Sequence, residues 1–359
     1  SAINEIIKNG AVLASPGEFT QRAFLNGKLD LVQAEAVGDL IASESRSAHM
    51  IAMSQMKGNV SKILEELRQK LIDFAALIEL ELDFTEEDVE FANRAQLSNL
   101  ITELKLEIQK MINSFNLGNA IKSGIPLIIV GEPNAGKSTL LNRFLEDDRA
   151  LVTDIAGTTR DSIEERFKLG DHLFRITDTA GLRKSKDKVE KLGIERSWRL
   201  MSEGHIILFL IDPLTSVKKN ILELEKDIKL KAPNAHLIKI LTKSDLWNGE
   251  NYHLDYPECI EIGIGSGLSQ IKSKLSSIID KTEWNGNSEI LIANIRHARA
   301  LKTSLDSILK AEKCLHDGSS GEIISYELRD ALESLGSITG EIIADDLLSS
   351  VFSRFCIGK

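Results

Sequence analysis

Only three cysteines occur in the 359 residues, Cys259, Cys314 and Cys356, and their spacing matches no metal-ligand pattern. Their odd number excludes a fully paired disulfide scaffold, so they read as free thiols in a reducing compartment. No apolar stretch approaches the roughly 18 to 20 residues that cross a bilayer, and the N-terminus lacks the basic-then-apolar pattern of a secretory signal. A cytoplasmic protein without a membrane partner is the expectation. A basic segment is missing as well: Lys and Arg against Asp and Glu number 12 against 18 over residues 1–124, 24 against 24 over 125–282, and 8 against 12 over 283–359. Binding of nucleic acid over a broad face requires a basic stripe. Any RNA contact must therefore be local, shape-based or helped by a partner.

What is present is the profile of a soluble globular protein, 42% hydrophobic and 27% charged, with room for two or three domains. Leu64, Leu67, Leu71, Phe74, Ile78 and Leu82 step by three and four through residues 59–82, and Leu97, Leu100, Leu104, Ile108, Met111 and Phe115 do so through 94–116. Both are amphipathic helices. The acidic link Thr85–Glu90 between them reads as a solvated connection. From Ile125 the texture changes to short apolar runs at 127–130, 173–177, 206–211 and 237–241, the alternation of an α/β domain. Gly170-Asp171 between two strand-like runs predicts a hairpin and hence one antiparallel edge strand. After about residue 283 helical spacing resumes, at Leu291, Ile295, Leu301, Leu305 and Ile308, then Leu328, Leu332 and Leu335, then Ile342, Ile343, Leu347 and Leu348. Each helical flank has an apolar face too large to leave in water, and the two can cover each other. The predicted architecture is a mostly parallel α/β domain inserted in a discontinuous helical bundle.

The chemistry starts at Gly131-Glu-Pro-Asn-Ala-Gly-Lys-Ser138, which follows the apolar run 127–130 and precedes Thr139-Leu-Leu-Asn142. This is a phosphate loop between a strand and a helix. Backbone N–H groups of the loop, including Asn134, Ala135, Gly136 and Thr139, can face phosphates, Lys137 can reach the β/γ-phosphates, and the Ser138 hydroxyl can ligate Mg²⁺. In order along the chain come Thr153-Asp-Ile-Ala-Gly-Thr-Thr159, Asp178-Thr-Ala-Gly181 and Thr242-Lys-Ser-Asp245. That is the order of a GTPase. Thr159 is placed to complete the Mg²⁺ shell when a γ-phosphate is present, Asp178 to hold Mg²⁺ through water, and the Gly181 N–H to contact the γ-phosphate. The residues Thr153, Asp154, Ile155, Ala156, Gly157 and Thr158, and then Thr179 and Ala180, line the same expected site. Asp245 can accept from guanine N1–H and its exocyclic amine, a pair adenine cannot offer; Thr242, Lys243 and Ser244 complete that motif.

Three departures bear on mechanism. Thr242 stands where Asn usually opens the base motif, which removes a bidentate amide. The usual Ser-Ala-Lys-like base loop is replaced by Glu261-Ile-Gly-Ile-Gly-Ser-Gly-Leu268. Leu182 follows the Asp-x-x-Gly motif where many small GTPases carry a water-orienting glutamine, so another residue must orient water.

Beyond the nucleotide motifs, Pro16-Gly-Glu-Phe-Thr20, Arg22-Ala-Phe-Leu-Asn-Gly-Lys-Leu-Asp30, Gln33-Ala-Glu-Ala36, Val152–Asp161, Asp178–Arg183, Gly193-Ile-Glu-Arg196 and Phe355-Cys-Ile-Gly-Lys359 span essentially the whole chain. Together they resemble the bacterial tRNA modification GTPases of the MnmE/TrmE type. The resemblance implies a K⁺-activated, Mg²⁺-dependent GTPase that forms a homodimer through its G domains. Asn134, Thr153, Ile155 and Thr158 match its K⁺ ligands, and Glu190 matches its water-orienting acid. A hard cation beside the phosphates can supply the charge that an arginine finger would. The resemblance further implies action with an FAD-binding partner subunit on tRNA, attaching a 5-carboxymethylaminomethyl-type group at the wobble uridine with a one-carbon tetrahydrofolate. Glu18, Lys57 and Lys359 match positions near folate, and Cys356 is a candidate nucleophile or simply a thiol. Because the chain opens on Ser1 inside a helical segment, it also implies that the folate-binding domain is present only as its last part, 1–56. A helical domain at 57–122 and 283–359 and a GTPase domain at 123–282 would follow. A ribosome-assembly GTPase and a GTP-gated scaffold are the alternatives.

Overall fold

The computed structural model describes residues 2–83, 94–147, 164–178, 205–247, 252, 256, 258–281 and 291–342. In chain order the elements are α1 (Ala2–Lys8), α2 (Glu18–Leu25), α3 (Leu31–Ala42), α4 (Arg46–Met56), α5 (Asn59–Asp83), α6 (Arg94–Ser123), β1 (Ile125–Gly131), α7 (Lys137–Asp147), β2 (Glu164–Leu169), β3 (His172–Asp178), β4 (Ile206–Ile211), α8 (Lys218–Lys231), β5 (His236–Leu241), a 3₁₀ turn (Ser244–Leu246), β6 (Ile260–Glu261), α9 (Leu268–Lys281), α10 (Ile295–His316) and α11 (Gly321–Thr339). They divide into two compact units, one of residues 1–44, 48–122 and 288–359, the other of residues 45–47 and 123–287. The first is therefore assembled from both ends of the chain. The acidic link 85–90 and the apolar steps Ile343, Leu347 and Leu348 lie outside the described residues.

The first unit is helical, and its core joins the two flanks. Leu64, Leu67, Leu71, Phe74 and Ile78 of α5 and Leu97, Leu104, Ile108 and Met111 of α6 are buried together with Leu301 and Ile308 of α10 and Leu328 and Leu335 of α11. The apolar stripes at helical spacing thus meet one another. Val32 of α3 joins the same core. Local signals set the helix ends. Asp30 and Gln33 form a capping box, each side chain accepting the other's backbone N–H at 2.8 and 3.0 Å, which fixes the start of α3. Gly340 ends α11 in the left-handed region at φ 88°, and a Cβ there would stand 2.9 Å from Leu31 and Phe24. Ile295, one of the apolar steps expected to pack, is 54% exposed. It opens α10 immediately after the Asn294 cap, before the helix reaches its packed face.

The second unit is built on a six-stranded sheet of order β2-β3-β1-β4-β5-β6, parallel except for β2 against β3. The antiparallel edge comes from the hairpin at Gly170-Asp171, as expected. All six residues of β4 are buried, the pattern of a central parallel strand covered on both faces. Phe144 of α7 stacks on Phe167 and Phe167 on Phe174, with centroids 4.8 and 5.0 Å apart, so α7 is seated on β2 and β3. Register pairs Ile129 with Asp178, Gly131 with Leu210 and Ile211 with Leu241. The carboxyl ends of β1, β3, β4 and β5 therefore lie along one edge, where open parallel sheets bind ligands.

Candidate nucleotide site

β1 delivers the chain to the phosphate loop through Gly131, where a Cβ would lie 2.5 Å from the Leu210 carbonyl oxygen of β4. Only glycine permits that approach. The loop turns through two left-handed residues, Asn134 at φ 61° and Gly136 at φ 89°. Asparagine is among the few side chains that tolerate this conformation. Ala135 is fully buried beneath the turn, while Asn134, Ser138 and Thr139 remain exposed. Lys137 is buried, its Nζ donating to the Gly131 and Glu132 carbonyls at 2.8 and 2.6 Å. Ser138 and Thr139 occupy the first turn of α7, whose unpaired N–H groups and positive dipole end favour an anion. Asp178 closes β3 beside Ile129, next to the strand that feeds the loop.

The residues expected at the base lie at the ends of β4 and β5 and in the loop after β6. Thr242 is buried; both its N–H and its hydroxyl donate to the Ile211 carbonyl, at 2.9 and 3.2 Å, so the threonine ties β5 to β4. Its carbonyl accepts from Trp247 Nε1 at 3.1 Å. Lys243 sits in the left-handed region at φ 59°, and its Nζ donates to Asp212 Oδ2 at 2.6 Å. Asp212, 1% exposed, also accepts from the Leu214 N–H at 3.1 Å and the Thr215 hydroxyl at 2.9 Å. Burial pushes its carboxyl up, but the Lys243, Thr215 and Leu214 bonds outweigh it and hold the group below the ordinary carboxylate range. Asp212 is thus a fixed anion that orients Lys243. Sequence motifs alone miss it, although its place just past an apolar strand is a usable signal. Asp245 is exposed on the 3₁₀ turn, and its Oδ1 accepts the Ile264 N–H at 3.1 Å. The replaced base loop therefore still reaches Asp245, through its backbone.

The other predicted positions fall as follows. Glu18, at the start of α2, accepts from the Ser15 N–H at 2.8 Å, the Ser15 hydroxyl at 3.1 Å and Arg22 at 2.5 Å, which together hold its carboxyl low. Lys57 follows α4 with an exposed side chain. Thr153, Asp154, Ile155, Ala156, Gly157, Thr158, Thr159, Thr179, Ala180, Gly181, Leu182, Glu190, Cys356 and Lys359 lie outside the described residues. By donor chemistry, a hydroxyl and carboxylate set such as Ser138, Thr159 and Asp178 suits a hard cation such as Mg²⁺. Among the described residues no His, Cys, Asp and Glu side chains gather into a group of three or more that could hold a metal, and no helix is long and apolar enough to cross a membrane.

The family profile described as MnmE helical domain matches residues 31–356. The tRNA modification GTPase MnmE of Bacteroides thetaiotaomicron is 43% identical over 99% of this chain and 78% of its own length. The chain belongs to the MnmE family. The protein of the same name from Christiangramia forsetii is also 43% identical, over 99% of this chain and 79% of its own. A solved structure of Era from Aquifex aeolicus overlays with a TM-score of 0.32 at 22% identity, over 51% of this chain and 66% of that one, too partial to support inference. In this MnmE-family chain the phosphate-loop string ends β1 and opens α7, and Asp245 stands beside the backbone of the 261–268 loop.

Proposed function

We propose that this chain hydrolyses GTP to drive modification of the wobble uridine of tRNA. In this reading it works as a homodimer with an FAD-binding partner subunit, and the product is a 5-carboxymethylaminomethyl-type uridine. Membership of the family of tRNA modification GTPases is the observation that carries the reading. The geometry supports its chemistry. Lys137 and the start of α7 are arranged for phosphates. Asp245, backed by Ile264, is arranged for guanine. Ser138, Thr159 and Asp178 are the residues that would hold Mg²⁺, which supplies charge neutralisation at the β- and γ-phosphates when bound. Asn134, exposed and left-handed, is assigned to offer its amide oxygen to K⁺ together with Thr153, Ile155 and Thr158. Glu190 is assigned to orient the attacking water. Folate is assigned to Glu18, Lys57 and Lys359, and the modification chemistry to Cys356. The activity is placed in the cytoplasm.

Mass spectrometry of tRNA nucleosides from cells with and without the gene tests the reading. Loss of the C5-aminomethyl-type wobble uridines on deletion is the expected result. Unchanged uridines would sink it and turn attention to ribosome assembly or to a GTP-gated scaffold.

A further inference from the structure

The loop that would face the base has little to hold itself in place. Gly265 and Gly267 have φ of 76° and 81°, and Ile264 between Gly263 and Gly265 is 87% exposed, so no side chain of the loop's tip is packed. Yet the loop must be well placed, because the Ile264 N–H on Asp245 Oδ1 is what orients an otherwise exposed carboxylate. The approach is also close: a Cβ on Gly263 would stand 2.6 Å from Ser244 Oγ and 3.0 Å from Asp245 Oδ1. Within the loop, the Gly263 N–H donates to Ser266 Oγ at 3.2 Å and the Ser266 N–H to the Gly263 carbonyl at 3.3 Å. From outside it, one side chain grips both ends. Arg143 Nη1 donates to the Gly263 carbonyl at 2.8 Å and Nη2 to the Ser266 carbonyl at 3.0 Å.

Arg143 stands on α7, the helix that begins at Lys137 of the phosphate loop and is seated on the sheet through Phe144. A guanidinium presents two N–H groups in a rigid plane, which suits two carbonyls held a fixed distance apart; a lysine ammonium cannot reproduce that fork. We propose that Arg143 is a specificity-determining positioning residue: it anchors the base loop to the phosphate-binding helix and thereby sets the Asp245 carboxylate for guanine. Arg143 touches no nucleotide in this scheme. It acts through Gly263, Ile264 and Ser266 on the one carboxylate that distinguishes guanine from bases lacking the 2-amino group. The inference rests on the GTPase reading and adds to it the source of base selectivity in a loop that has lost its usual sequence.

The test is competition of GDP and IDP against a fluorescent guanine nucleotide on the full chain, for the parent protein, Arg143→Ala and Arg143→Lys. IDP differs from GDP only in lacking the 2-amino group that Asp245 would accept from. Arg143→Ala is expected to weaken GDP about tenfold and IDP about two- to threefold, so the preference for GDP narrows, with Arg143→Lys recovering only part of it. In steady state the KM for GTP should rise while kcat stays within about twofold, since the phosphate end is untouched. An unchanged GDP/IDP ratio in Arg143→Ala would overturn the proposal while leaving the GTPase reading intact; a parent chain that binds neither nucleotide would overturn both. Should Arg143→Ala fail to fold, Ser266→Ala, on the exposed loop, removes the internal bond to the Gly263 N–H and should narrow the ratio in the same direction; an unchanged ratio there, with Arg143→Lys also unchanged, counts against the proposal.

Discussion

At the scale of single residues, the site is organised by side chains whose bonds restrict them to one position. Lys243 adopts φ 59°, a conformation that costs a non-glycine residue of order 1 kcal/mol, and its ammonium is bonded to the buried Asp212. Replacing Asp212 by Ala should therefore release Lys243 and leave Thr215 and the Leu214 N–H without their acceptor. Guanine nucleotide affinity is expected to fall roughly tenfold, with about 1–3 kcal/mol lost from stability. Titration with a fluorescent GDP analogue and a urea melt measure the two effects, and affinity within twofold of the parent would show that Lys243 needs no anchor. Glu190→Ala makes a different expectation. Hydrolysis should be abolished with nucleotide binding intact, as judged by phosphate release and by the same titration; retained turnover removes Glu190 from the mechanism.

At the scale of elements, a buried ionic cluster joins three helices of the helical unit. Glu35 of α3 accepts from Arg296 Nε at 2.9 Å, from His297 Nε2 at 2.8 Å and from Asn294 Nδ2 at 2.9 Å, while Arg296 also donates to the Ser337 and Ile338 carbonyls at the end of α11. Burial alone would raise the Glu35 carboxyl, but the bonds from His297 and Arg296 outweigh it and bring the pKa down to about 2. Burial holds His297 below the ordinary histidine range, so the ring is neutral near pH 7, with the Nε2–H donated to Glu35. A depressed carboxylate contributes stability that is present above the unfolded-state value, about 4.5, and is lost as pH falls from there toward 2. Chemical melts of the full chain between pH 7 and pH 3 should show most of this loss, about 2 kcal/mol, and Glu35→Gln should reduce it. A pH profile identical in Glu35→Gln would remove the Glu35 carboxylate from the acid response and leave it to groups such as the buried His297. Packing between elements is equally tight where α6 passes the segment before α10: a Cβ on Gly118 would lie 2.4 Å from the Ile292 carbonyl oxygen. Gly118→Ala should cost about 1–3 kcal/mol, seen as a lowered Tm, because a backbone atom cannot step aside as a side chain can.

For the whole molecule, the expected signature is cation dependence of turnover. At equal ionic strength, GTP hydrolysis in KCl should exceed that in NaCl by roughly tenfold or more if a cation at Asn134 offsets transition-state charge, and a slow, cation-indifferent rate would remove that site. Much of the architecture behind this is legible in the amino-acid sequence itself. Apolar residues at steps of three and four locate α5 and α6, short apolar runs locate β1, β3, β4 and β5, and Gly170-Asp171 locates the antiparallel edge, because periodicity and turn chemistry are local properties of the chain. The phosphate loop and Asp245 are legible for the same reason: their chemistry resides in contiguous residues. Ile295 misleads because helical spacing gives a face but not the point at which a helix begins to pack. Asp212, Arg143 and the Glu35 cluster belong to another category. Asp212 meets Lys243 from the next strand of the sheet, Arg143 meets carbonyls 120 and 123 positions away, and Glu35 meets Arg296 across 261 positions. Their partners include backbone atoms that no residue type announces. Local pattern thus determined which elements form and which contiguous motifs are proposed for phosphate and guanine; only the tertiary structure decided which side chains hold those motifs in place, since that depends on distances set by the packing of strands and helices far apart in sequence.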